Sequence, residues 1–214
     1  VDVYPDSSDC PEVSADSPIT VTSGSSSATT FGEFLTEGGN HDAFVTTWYD
    51  QAGSNDASQS IDDSQPKIAE NGVVRTTGGR PTIDFYNNSF LETPSFTDGS
   101  ASSAFSVINN HSADSSRKIF HTKSQFPSEG ALFNYRGDNS VGLYDFVSFD
   151  GSSNALTFSN STSPLYFISS TIINGNKDIF INGTNVASSS DTFAAHSGPL
   201  NIGHSVFGAG FDIQ

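Results

Sequence analysis

Cysteine is almost missing from this chain: Cys10 stands alone, so no intrachain disulfide can form and no cysteine-based zinc site is available. Methionine is missing altogether, even at the first position, so the sequence is expected to be processed or a piece of something longer. Basic residues are scarce. Eight Lys and Arg against 24 Asp and Glu give a formal charge of -16 and a pI near 4.2, which repels nucleic-acid phosphates and anionic lipid. No nucleic-acid partner is expected, and the acid surplus reads first as a solubility device. No apolar run approaches the roughly 18 residues of a spanning helix, so no membrane insertion is expected. The opening VDVYPDSSDC also lacks the basic start and apolar stretch of a signal peptide.

Phenylalanine, by contrast, is abundant. The 214 residues include 18 Phe, enough for an aromatic core in one domain. Residues 1–30, rich in Ser, Thr, Asp and Pro, read as an extended arm or linker or, since ITVT alternates, as a peripheral strand laid on the domain, leaving 31–214 as the folded domain. AFVTTWY, PTIDFY, AFSVIN, KIFHTK, ALFNYR, VGLYDFVSF, ALTFS, LYFISSTII and PLNIGH are β-branched and aromatic runs between Gly, Ser, Asn and Asp loops. KIAE and VVRT flank Asn71-Gly72, and DIFI and TNVA flank Asn182-Gly183. Asn-Gly between such runs predicts type I′ hairpins, because both central residues need positive φ. EFLTEGG, residues 33–39, is the best candidate for a helical turn. GAGFDIQ reads as a last strand cut short. The pattern predicts an all-β fold, a two-sheet antiparallel β-sandwich or jelly roll.

VTTWYDQAGSNDASQ (45–59), followed by QPKIAENGVV and GRPTIDFYNNSFLETP, resembles the concanavalin A-like, laminin G-like jelly-roll domains of bacteriophage structural proteins and bacterial surface proteins. Their pattern runs WYDQSGNGNDATQ, then QPKI, a hairpin and GKPAIDFDGSNDFL. LYFISSTIINGNKDIFINGTNVASSS with PLNIGHS is similar to the paired strands near the end of laminin G-like domains. Together these stretches cover roughly residues 40–210. The turn AGSND is shorter than the family's SGNGND. The YDQ block is also similar to one in fungal arabinofuranosidases of this fold, whose cysteine framework a chain with only Cys10 cannot reproduce.

Around Trp48, Tyr49, Asp50 and Gln51, strand alternation places Trp48 and Asp50 on one face and Tyr49 and Gln51 on the other. On that reading one aromatic anchors the core, while Asp50 and Asn55 satisfy backbone donors in the tight turn around Gly53. Calcium is the candidate cofactor: Asp50, Asn55, Asp56, Asp62 and Asp63 offer hard oxygen ligands, without EF-hand spacing. A sugar would be held by loop aromatics and amides, for which Tyr86, Asn88, Tyr135 and Tyr144 are candidates. Glycoside hydrolysis needs two paired carboxyls; Glu129 and Asp145 can be proposed, as can others. No Gly-x-Ser-x-Gly elbow and no metal-like histidine spacing occur.

The expectation is therefore a non-enzymatic structural or adhesive module on a virion or cell surface, such as a phage capsid decoration, fibre or tail protein. Its expected partners are a surface glycan or neighbouring subunits, in a homo-oligomer or lattice. A free-standing lectin or an arabinofuranosidase-like hydrolase are the alternatives. Extracellular or virion-surface placement follows from the resemblance.

Overall fold

Both Asn-Gly pairs turn a hairpin. Asn71 and Gly72 have φ of 51° and 82°, Asn182 and Gly183 have 51° and 79°, so all four central residues occupy the left-handed region that a type I′ turn requires. Glu70 faces Val73 across the first turn and Ile181 faces Thr184 across the second.

The structure, a computed structural model, describes residues 2–3, 13–21, 24–85, 89–98, 102–109, 117–122, 130–135, 140–146, 153–159, 165–173, 176–190 and 196–203. Its elements run β1 (Asp2–Val3), β2 (Ile19–Thr20), α1 (Phe31–Thr36), β3 (Ala43–Phe44), β4 (Thr47–Trp48), β5 (Ala57–Ser58), a 3-10 turn (Asp62–Ser64), β6 (Lys67–Glu70), β7 (Val73–Val74), β8 (Thr76–Thr77) and β9 (Arg80–Pro81). The longer strands follow: β10 (Phe90–Asp98), β11 (Ser102–Asn109), β12 (Arg117–Thr122), β13 (Gly130–Tyr135), β14 (Ser140–Phe146), β15 (Ser153–Ser159), β16 (Leu165–Ile173), β17 (Asn176–Ile181), β18 (Thr184–Ser189) and β19 (His196–Gly203). No helix among the described residues is long and apolar enough to cross a membrane. The expected last strand GAGFDIQ lies outside the described residues.

The chain divides into two compact units, Val1–Val45 with Pro66–Asp84 and Gln214, and Thr46–Gln65 with Phe85–Ile213. AFVTTWY, expected as one strand, is accordingly two. Ala43 pairs with Ala69, whereas Trp48 pairs with Ala57, and a single straight strand cannot serve both partners.

In the first unit, Thr30 caps α1 and Glu33 reaches back to the cap, a reciprocal capping box. The cap starts the helix two residues before the stretch read as helical. Phe31 and Leu35, one turn apart, bury one stripe of α1 with Ala69 and Val74, ringed by Val13, Ile19, Phe34, Ala43 and Ile68. Of residues 1–30, the described stretches bond directly to this helix: Phe31 N donates to Ser17 O at 2.9 Å and Gly32 N to Ala15 O at 2.7 Å. The Asn71 turn is held by its N–H donating to Asp42 Oδ1 at 2.8 Å, while Asp42 Oδ2 takes Lys67 Nζ at 2.9 Å.

The second unit is a two-sheet antiparallel β-sandwich. One sheet has the order β15-β14-β13-β12-β19-β10-β5-β4, the other β11-β16-β17-β18. The chain alternates between them: β10 feeds β11, the meander β12 to β15 returns to the large sheet, β16 to β18 fill the small one, and β19 closes between β10 and β12. Strand period sets the buried face. Lys177, Ile179 and Ile181 are buried while Asp178 and Phe180 between them are half-exposed. Gly203 is needed where β19 meets the fully buried Phe85 ring, because a Cβ there would collide with Phe85 Cδ1.

Candidate aromatic cleft at the sandwich edge

The large sheet ends at β4, and β4 ends at Trp48. Strand alternation therefore stops before it reaches Tyr49, Asp50 and Gln51, and this changes the expected assignment of faces. Trp48 is 49% and Tyr49 51% exposed, so neither ring anchors the core. Beyond Trp48 the backbone turns into a loop, and Trp48, Tyr49, Asp50 and Asn55 all line one cleft.

The loop is closed by its own polar groups. Asp50 Oδ1 accepts the N–H of Ala52 at 2.8 Å and Oδ2 that of Asn55 at 3.2 Å. Asp50 N in turn donates to Asp56 Oδ1 at 2.8 Å, and Gln51 Nε2 donates to Tyr49 O at 3.0 Å. Asn55 thus contributes its backbone to the turn, and the second side chain that ties the loop is Asp56. These backbone donors, Ala52 first and Asn55 and Gly53 with it, hold the Asp50 carboxyl below the usual carboxylate range. A loop fixed this way presents two aromatic rings without needing a core beneath them.

The cleft has a volume of about 420 Å³ and lies between the two sheets. Its floor comes from Ala57, Thr93, Phe120 and Ile202 of the large sheet, its far wall from Phe105, Ser106 and Val107 of β11. Register explains the floor: Trp48 faces Ala57, Leu91 faces Ile202, and Ile202 faces Phe120, so these side chains share one face of the sheet. Thr93 sits at the bulge between Glu92 and Ser95, its hydroxyl accepting Leu200 N and donating to Pro94 O, each at 3.0 Å. β11 is one of the two edge strands of its sheet as described. There Phe105 is 61% and Val107 52% exposed, alternating with half-buried Ala104 and Ser106.

Chemically this is an open apolar groove with a narrow polar border. One carboxylate, Asp50, lines it, and none of its described lining residues is basic. AFSVIN already carried the signal for the far wall, since Phe105 and Val107 alternate with Ser, but a sequence does not say which strand of a sheet lies at its edge.

The five proposed calcium ligands fall into two places. Asp50, Asn55 and Asp56 belong to the closed loop, while Asp62 and Asp63 lie in the 3-10 turn, where Asp62 Oδ1 accepts Gln65 Nε2 at 3.3 Å. Among the described residues no three His, Cys, Asp or Glu side chains group as metal ligands. Of the proposed sugar contacts, Tyr86 and Asn88 lie outside the described residues. Tyr135 ends β13 and Tyr144 lies within β14, opposite Leu132 and Ala155; only their strand positions are described. Glu129 is outside the described residues, and Asp145 is known by its place in β14 alone.

No protein-family profile matches the sequence, and no curated protein matches it. Among solved structures, the chain is similar to the carbohydrate-binding module CBM66 from Bacillus subtilis, with a TM-score of 0.41 and 13% identity over 70% of this chain and 84% of that one. It is also similar to the binding domain of botulinum neurotoxin DC in complex with SialylT, with a TM-score of 0.41 and 12% identity over 75% of this chain. A botulinum neurotoxin type C structure, described by cell entry dependent on two ganglioside molecules, matches at a TM-score of 0.39 and 13% identity over 75% of this chain. This chain spans 42% of the length of each of these two neurotoxin chains.

Proposed function

We propose that the chain is a non-enzymatic adhesive module of a virion or cell surface, and that its ligand is a surface glycan bound in the cleft between the sheets. One observation carries the reading: Trp48, Tyr49 and Phe105, three rings left about half exposed or more, line a single groove. Large rings left in water at a concave site are a recognition surface rather than a packing surface. Sugar rings offer apolar C–H faces that stack on such aromatics, and their hydroxyls take polar groups at the rim.

Hydrolysis fits this groove poorly. A glycosidase sets two carboxyls across the scissile bond, one of them with a raised pKa. Asp50 is the one carboxylate among the described lining residues, and its backbone partners push it the other way.

Immobilised polysaccharides of bacterial and algal origin test the reading, with release of reducing ends monitored throughout. Saturable binding without release, weakened about tenfold in Trp48→Ala, is the expected result. Release by the wild-type chain, or no binding across the panel, would sink it. A virion or surface subunit further works as a symmetric oligomer or on a lattice; light scattering should then give a multiple of the 22.6 kDa chain mass, and a monomer would count against that part.

A further inference from the structure

Resting on the glycan-binding reading above, we propose that the cleft selects neutral glycans whose sugars carry a methyl group, as 6-deoxyhexoses and N-acetylhexosamines do, and rejects acidic ones. Charge argues the rejection. Asp50 stands at the cleft, no described lining residue is basic, and the chain as a whole carries -16. Both Asp50 oxygens are already engaged by backbone N–H groups, so the carboxylate is held ionised in place. A sugar carboxylate bound here enters well inside the screening length of about 8 Å at physiological salt, with no basic side chain among the described lining residues to meet it.

Shape and polarity argue the methyl. The floor, Ala57, Phe120 and Ile202, and the wall at Val107 carry no side-chain hydrogen-bonding group. The Thr93 hydroxyl is bonded within β10 and to Leu200. A sugar hydroxyl pressed against these groups gives up water without replacement, which is unfavourable, whereas a methyl gains by the same burial. The rings at the rim take the sugar face, and the apolar floor takes the substituent.

The test compares four immobilised ligands on the intact chain: chitooligosaccharide, a neutral polymer rich in 6-deoxyhexose, an unsubstituted β-glucan, and a uronate or sialic-acid polymer, each at about 20 mM and about 500 mM salt. The first two are expected to bind at least about tenfold tighter than the last two, with little salt dependence, and the pair separates acetyl from deoxy methyl sources. Equal binding to the β-glucan overturns the methyl argument, and tight binding of the acidic polymer overturns the charge argument; either leaves glycan binding itself intact. Binding to none of the four defeats the glycan reading and this inference with it. Asn55→Lys, which keeps the backbone N–H used by Asp50, should raise binding of the acidic polymer severalfold. No gain in that variant also overturns the charge argument.

Discussion

Asp50 and Gly53 fit against each other without room for a methyl: a Cβ built on Gly53 would lie 2.9 Å from Asp50 Oδ2, the oxygen that accepts Asn55 N. Gly53→Ala therefore pushes the carboxylate off its backbone partners. The carboxylate is the free end of a side chain on an exposed loop, so the cost to global stability should stay within about 1 kcal/mol. The loop itself should loosen. Amide exchange at Ala52 and Asn55 is expected to speed up, and glycan affinity to fall severalfold as Trp48 and Tyr49 lose their fixed setting. Unchanged exchange in that variant would mean that Asp50 does not hold the loop.

Trp48→Ala, Tyr49→Ala and Phe105→Ala should each weaken polysaccharide binding about tenfold, roughly 1.4 kcal/mol, while the melting temperature moves little because the rings are half in water. Val73→Ala serves as the control, being 68% exposed but remote in sequence and absent from the cleft lining. Titration calorimetry on the four variants checks this; an equal loss in the Val73 variant would point to a general surface effect.

Gly203 has a φ of +96° and no room for a Cβ beside Phe85. Phe85 is fully buried and has nowhere to swing. Strained backbone and overpacking together predict that Gly203→Ala loses about 2–4 kcal/mol, a drop on the order of 5–15 °C in melting temperature for a domain of this size. A shift under a degree in calorimetry would show that β19 can move away from the ring.

The hairpins were legible because Asn-Gly specifies a backbone conformation locally: Asn71, Gly72, Asn182 and Gly183 need only their neighbours to define the turn. The all-β class was legible for the same reason, from period and turn residues repeated along the chain. Trp48 and Tyr49 were not. Their orientation depends on where β4 stops, which the short pairing with Ala57 and Ser58 decides, and that pairing follows from tertiary register rather than from local propensity. Phe105 was hidden for a related reason. Its exposure comes from the place of β11 at a sheet edge, set by β16 as its described partner more than 50 residues away.

Leu35 is 1% exposed and packs α1 onto Ala69 and Val74. Leu35→Ala should cost about 2–5 kcal/mol, whereas Thr30→Ala, which removes only the cap on Glu33 N, should cost about 1 kcal/mol. Urea melts followed by a probe in the first unit check the order; a larger loss for the cap than for the core residue would contradict this account of α1.

Acid should unfold the protein partly through Asp42. The Asn71 N–H is the largest influence on its carboxyl, with the Lys67 ammonium beside it, and together they hold it below the usual carboxylate range. A carboxyl whose folded pKa is depressed contributes stability that is fully present above the unfolded value, about 3.9, and is lost as pH falls through the lower folded value. Lys67, raised by Asp42 first and Glu70 next, has the opposite sign: its contribution is full below the unfolded value near 10.4 and fades only as pH rises through the folded one. Between pH 5 and 9 both contributions are in place. Asp42→Asn keeps an oxygen for Asn71 but removes the charge, so its melting temperature should lie below wild type throughout that window, and the two should converge as the pH drops below about 4. Melting both proteins across pH 2–9 decides it, because a gap that persists at the lowest pH would place the effect in packing rather than in the ionised pair.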